Sequence, residues 1–360
     1  MTFGWPGRRR ELREASRGPV RALILGGGGA RGAYEAGVVA ALSEREAFDI
    51  VCGTSIGAVN GMFVAQGRPD KLVEIWSTIS TLGVTQLKPE LAVLVLLWQA
   101  GYGLIQSPFS QKASHALTML RALPQLTLAG GLPHLLGMFE GGNVRGVIKE
   151  LADLAAVRRT FIIGVTNLTN GRGESFAYFP PGQGAIEQAF HAAERSQPIH
   201  AANYVEAICA SAALPPVYEP VPILCSDGEL RLFADGGFTN NASFQQAIDA
   251  GATDITAIFV TPPASRSNAR GGAAPASVME IMSTMLEANT ERMLELDLKL
   301  ARRINDDVAA GTAPGKRHVS FRVIGPKTPL GLATLGFDDQ VEVNRLFALG
   351  YADGSEVRAA

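Results

Sequence analysis

Apolar residues along this chain fall into two rhythms. The short runs RALIL (21–25), FDIVC (48–52), TFIIGVTNL (160–168), LRLFAD (230–235) and DITAIFV (254–260) predict strands. Between them, apolar positions recur every three or four residues and predict helices around 33–44, 56–66, 69–80, 202–211 and 243–251. Strand runs this apolar are covered on both faces, and their alternation with helices predicts an α/β fold. The expected architecture is a three-layer α/β/α sandwich with a central, mostly parallel sheet. The rhythm breaks over 82–140, which is rich in Leu, Gly and Pro and predicts an inserted helical cap. PPASRSNARGGAAPAS (262–277) predicts a flexible surface loop. The following 278–304 predicts a long amphipathic helix whose Met/Leu stripe packs on the core. The expected organisation is therefore an arm over 1–19, one catalytic domain over 20–354 and a tail over 355–360.

Composition narrows the function classes. The chain has 360 residues, 47% hydrophobic, which is enough to build a substantial core. Lys and Arg number 32 against 34 Asp and Glu, with no long basic block, so no nucleic-acid partner is expected. Three separated cysteines, Cys52, Cys209 and Cys225, form neither a disulfide framework nor a structural zinc pattern and fit a reducing compartment. No apolar segment follows the N-terminal arginines as a signal peptide requires, and the expected location is cytoplasmic. Residues 1–21 carry six Arg and two Glu, a tail that is either solvated or weakly attracted to anionic lipid, a peripheral membrane contact. LAVLVLLWQAGYGLI (91–105) is shorter than the ~20 residues of a spanning helix. Gln99, Gly101 and Gly103 interrupt it, so a buried helix or lid is expected, with Trp98, Tyr102 and Phe109 nearby.

Candidate chemistry begins at GGGGARG (26–32), between a strand and a helix. Gly27, Gly29 and Gly32 satisfy the dinucleotide fingerprint, and Asp49 follows at about the spacing of a ribose-binding acid. Asp49, however, stands at the start of the second strand, whereas open α/β sheets bind ligands at the carboxyl ends. Ala33 and Tyr34 exclude a P-loop, which needs Lys and Ser or Thr there. At the second strand's carboxyl end stands GTSIG (53–57), a G-x-S-x-G elbow: Gly53 and Gly57 permit a sharp turn that leaves Ser55 proud at a helix N-terminus. Adjacent parallel strands would set the two loops side by side, with the amides of Gly28 and Gly29 available to an oxyanion. Arg31 either adds positive potential or grips a phosphate, or is a surface arginine that ties down the loop.

A serine nucleophile needs a base. His115, His134, His191, His200 and His318 are scattered; a triad using His318 has the chain order of α/β-hydrolases and stays open. FADGGF (233–238) offers Asp235 at a strand end between Phe233 and Phe238, an apolar setting that would raise its pKa.

Taken in order, GGGARG (27–32), GTSIG (53–57) and DGG (235–237) resemble the three signatures of the patatin-like phospholipase family. ASAALPPVYEPV (210–221), the run 237–255 and ALGYADG (348–354) extend the similarity over roughly 20–354. The resemblance implies a Ser–Asp dyad without histidine, requiring neither cofactor nor metal, that hydrolyses lipid acyl esters of phospholipids or lysophospholipids. By motif position Ser55 is the nucleophile and Asp235 the base. Gly27, Gly28, Gly29 and Arg31 form the oxyanion loop, and Gly236 and Gly237 complete the DGG motif. Two departures stand out: Ala242 and Ser243 occupy the stretch where proline is frequent, and Gly26 replaces a serine or aspartate. The competing readings are a nucleotide-binding protein using the 26–32 loop and a catalytically silent lipid-binding scaffold. Oligomeric state is not legible.

Overall fold

The computed structural model describes residues 18–85, 141–215, 217–239, 241–262, 278–331 and 334–357. Most of the expected arm, of the 82–140 insertion with Trp98, Tyr102 and Phe109, and of the 262–277 loop lies outside those residues, as does the end of the tail.

The sheet grows outward from β1 (Arg21–Leu25), which lies parallel between β2 (Ile50–Thr54) and β8 (Asp254–Ile258). On one side β2 pairs in parallel with β3 (Thr160–Asn167), and on the other β8 pairs in parallel with β9 (Ser320–Ile324). Beyond β3 come the antiparallel β4 (Arg172–Tyr178) and the short β5 (Ser196–Pro198). A hairpin of β6 (Val221–Leu224) and β7 (Leu230–Asp235) joins the carboxyl-terminal part of β3 in antiparallel register.

Because successive strand residues face opposite ways, two cores form. Leu23, Leu25, Val51, Phe161 and Ile163 pack on one face. They meet α1 (Gly32–Ser43), α2 (Ile56–Ala65), α3 (Lys71–Thr78), α4 (Gly141–Leu151), α6 (Tyr204–Ser211) and α9 (Gln340–Glu356). Ala22, Ile24, Ile50, Cys52 and Ile162 pack on the other, against α5 (Gly184–Ala193), α7 (Phe244–Asp249) and α8 (Val278–Ala309). Each fully buried Leu, Ile or Phe contributes roughly 1.5–3 kcal/mol of transfer free energy. The result is the three-layer α/β/α sandwich with a mostly parallel sheet.

Several elements escape the hydrophobic rhythm. The strand β4 begins on an exposed, polar stretch. In β9 the apolar run is split by Arg322, whose guanidinium is held by Glu46 at 2.6 Å and by Thr256. The α9 pattern is diluted by Gly350 and Gly354, and Gly350 is there for closeness: a Cβ on it would sit 1.9 Å from the carbonyl oxygen of Tyr34 on α1.

Candidate active site

The turn from β2 into α2 is strained at one residue. Ser55 has φ 56° and ψ −127°, the one described residue other than glycine with positive φ, a conformation that costs of order 1–3 kcal/mol and persists only where neighbours enforce it. The enforcement is steric and polar. A Cβ on Gly53 would meet the Gly57 carbonyl oxygen at 2.4 Å, and one on Gly57 would meet that of Leu25 at 2.3 Å. The Ser55 amide donates to Ser211 Oγ at 2.9 Å, and that hydroxyl donates onward to the Gly164 carbonyl at 2.6 Å. Ser211, on α6, thus ties the elbow to β3. Sequence reasoning passed over it, because a serine in a small-residue helix reads as packing.

Register explains how a residue 180 positions downstream reaches this turn. Gly164 of β3 stands opposite Thr54, the last residue of β2, and its neighbour Val165 stands opposite Asp235, the last residue of β7. The hairpin therefore takes over beside β3 where β2 ends, and Asp235 arrives next to Ser55. The Ser55 hydroxyl faces the Asp235 carboxyl closely enough to act on its titration, and the Gly237 amide donates to Asp235 Oδ1 at 2.8 Å. Asp235 is 2% exposed; burial pushes its pKa up to about 6, against the opposing effect of the Ser55 hydroxyl and the Gly237 amide. Of the expected aromatic flanks, Phe233 is buried but Phe238 is 40% exposed, so Phe238 does not wall off the carboxyl. The approach of β3 to Gly236 helps instead: a Cβ on Gly236 would lie 2.4 Å from the Gly164 oxygen.

The glycine loop lies on the same sheet edge, since Leu25 of β1 pairs with Gly53 of β2. A Cβ on Gly27 would stand 3.0 Å from Ser55 Cβ and 3.7 Å from its Oγ. The four expected oxyanion-loop residues separate here. The Gly27 amide is taken, donating to Asn241 Oδ1 at 2.8 Å. The amides of Gly28 and Gly29 have no acceptor among the described residues. Arg31 is 8% exposed; its Nε donates to the Gly28 carbonyl at 3.4 Å and its Nη2 to Thr334 Oγ1 at 3.1 Å. Gly27 and Arg31 therefore shape the loop, and the two middle glycines offer the donors.

Behind the loop sits a buried polar knot that the sequence reading did not single out. Glu35, fully buried on α1, accepts from Asn60 Nδ2 at 2.8 Å, while Asn60 Oδ1 accepts from Trp76 Nε1 at 2.9 Å. Burial holds the Glu35 carboxyl well above the usual carboxylate range.

A cavity of ≈ 120 Å³ opens at Ser55, Asp235 and Gly27–Gly29 and runs between helices past Val59, Met62, Ile75 and Ile148. Its lining is almost wholly aliphatic and aromatic on that side, the character of a site for a hydrocarbon chain.

The rival readings are placed by the same geometry. Asp49 lies at the opening end of β2, where its Oδ2 accepts the Arg21 amide at 2.9 Å, away from the glycine loop. His318 stands just before β9, whose first residue pairs with the first residue of β8, at the end of the parallel sheet opposite to Ser55. Among the described residues no helix is long and apolar enough to cross a membrane.

Comparison with known proteins gives three findings. A family model described as patatin-like phospholipase matches residues 23–248. A patatin-like phospholipase domain-containing protein from Caenorhabditis elegans, ZK370.4, is 38% identical over 114 residues, covering 31% of this chain and 8% of that protein's length. Among solved structures, VipD from Legionella pneumophila aligns over 94% of this chain and 66% of its own, with 15% identity and a TM-score of 0.38.

Proposed function

Because this chain belongs to the patatin-like phospholipase family, whose members are lipid acyl hydrolases, we propose that it cleaves fatty-acyl esters with Ser55 as nucleophile and Asp235 as its base. The observation that carries the reading is the meeting of a strained, glycine-flanked serine with a buried carboxyl whose pKa is pushed up to about 6. An exposed aspartate, with a pKa near ~3.9, is a feeble base toward a hydroxyl. One raised toward neutrality accepts the proton more readily and is still ionised at pH 7.

The acyl chain lies in the apolar cavity, which sets the ester carbonyl between Ser55 and the glycine loop. Asp235 takes the Ser55 proton as Oγ bonds to the carbonyl carbon, and the Gly28 and Gly29 amides receive the oxyanion. The N-terminal end of α2 favours the same negative charge. Collapse of this intermediate breaks the bond to the alcohol, which leaves with the proton from Asp235, and Ser55 remains acylated. Water then gives a proton to the same carboxylate, attacks the acyl carbonyl and releases the fatty acid, the proton returning to Ser55.

Ser55→Ala and Asp235→Asn should each abolish hydrolysis of a chromogenic long-chain ester while retaining the native circular dichroism spectrum. Full activity in either overturns the dyad. Lipid mass spectrometry of a mixed extract incubated with wild type and Ser55→Ala identifies the head group released, with phospholipid or lysophospholipid the expected substrate.

A further inference from the structure

The glycine loop is gripped by a part of the chain that lies beyond the family match, which ends at residue 248. The Thr334 carbonyl accepts the Ala30 amide at 2.8 Å, and Thr334 Oγ1 accepts from Arg31, which also reaches back to the Gly28 carbonyl. The approach is close: Gly29 has φ 59°, and a Cβ on it would fall 2.0 Å from the Thr334 oxygen. On the other side a Cβ on Gly28 would fall 2.3 Å from Val260 Cγ2. The lack of side chains at these two glycines thus serves packing against the Thr334 segment and the chain just after β8 as well as access to a substrate.

The Thr334 segment is itself anchored. Arg345 of α9 donates to the Leu330 carbonyl at 3.0 Å, and Phe337 stacks on Trp76 with ring centroids 6.3 Å apart. Gln340 donates to the Trp76 carbonyl at 2.7 Å and accepts the Ser80 amide at 3.2 Å. The other end of α9 is locked on α1 at Gly350. A run of glycines has more backbone freedom than any other sequence, so donors built on it need fixed peptides on both sides. The Asn241 contact to Gly27 fixes the side before Gly28, and Thr334 with Arg31 fixes the side after Gly29.

We propose that Thr334 and Arg31 form a positioning pair through which the carboxyl-terminal segment holds the Gly28 and Gly29 amides in oxyanion-binding geometry. This rests on the dyad reading above. The competing role for Arg31, which borders the cavity, is a direct contact with substrate charge.

The test is a double-mutant cycle on the full chain, with kcat and KM measured on a neutral p-nitrophenyl ester and on a phospholipid. Thr334→Val should lower kcat about tenfold with KM unchanged, the scale of one charge-assisted hydrogen bond, and Thr334→Ser should restore it to within about twofold. Arg31→Ala should lose as much or more on both substrates, and the double variant should be no worse than Arg31→Ala within about twofold. The midpoint of kcat/KM against pH should not move in any of them. Losses that multiply, a rise in KM alone, or an Arg31 effect confined to the phospholipid would overturn the positioning pair. Ser55→Ala in the same series reports on the dyad separately: full turnover there overturns the dyad reading, whereas lost turnover with multiplying effects overturns the pair alone.

Discussion

Asp235→Asn should stabilise the fold at neutral pH while destroying activity. Asp235 is buried and its pKa rises from 3.8 to about 6, burial being the dominant cause. The folded protein thus holds the Asp235 proton more tightly than the unfolded chain does. Stability associated with this group is fully present below pH ~4 and is lost as pH rises through about 6. At ~1.4 kcal/mol per pH unit the loss amounts to ~3 kcal/mol once both states are ionised. An asparagine has no charge to desolvate, and its Oδ1 can still accept the Gly237 amide. The stability difference between variant and wild type should therefore shift in favour of the variant by up to ~3 kcal/mol between pH 4 and pH 8. Urea unfolding followed by fluorescence over that range, with equal m-values for the two proteins, measures it. A difference that stays constant with pH, or that moves in favour of wild type as pH rises, would refute the claim that burial outweighs the hydrogen bonding at the Asp235 carboxylate.

Three further outcomes follow from the same contacts. With Asp235 as the proposed base, kcat/KM for ester hydrolysis should climb through a midpoint near 6 and level off above it; a midpoint near 4 would mean that the carboxyl is not desolvated. Ser211→Ala leaves the Ser55 amide and the Gly164 carbonyl without their shared partner, which should cost ~1–3 kcal/mol in denaturant unfolding and lower kcat; unchanged values for both would remove Ser211 from the elbow. Glu35→Gln keeps the acceptor for Asn60 in a side chain of the same shape and should fall within ~1 kcal/mol of wild type at pH 7, whereas Glu35→Ala leaves an Asn60 N–H without its acceptor at ~1–3 kcal/mol; equal losses in the two variants would show that the Asn60 bond to Glu35 contributes nothing.

The parts legible from the sequence were those with a local signal. Strong apolar runs marked β1, β2, β3, β7 and β8, and the strand-to-helix setting of GTSIG marked a turn that the structure strains at Ser55. What stayed hidden depends on pairing across long separations. Nothing in LRLFAD tells that it runs antiparallel to β3, yet that register is what brings Asp235 to Ser55. Ser211 and Asn241 bond through their side chains to the backbone of distant loops, and Thr334 reaches the glycine loop through its carbonyl and, by its hydroxyl, Arg31, contacts that no spacing pattern announces. Arg31 showed the limit of a motif: its place beside the glycines was evident, but whether it faces outward to a substrate or back to the loop required the position of Thr334.

The central claim is that Ser55, activated by Asp235, becomes covalently acylated. A long-chain fluorophosphonate, which traps serine hydrolases at the first step, tests it most directly through intact-mass and peptide mass spectrometry alongside residual esterase activity. The account predicts a single phosphonyl group on the peptide carrying Ser55, activity lost in step with labelling, and labelling strongly slowed in Asp235→Asn. Esterase activity that persists while Ser55 is fully labelled, or a label that accumulates on another residue as activity falls, would contradict it.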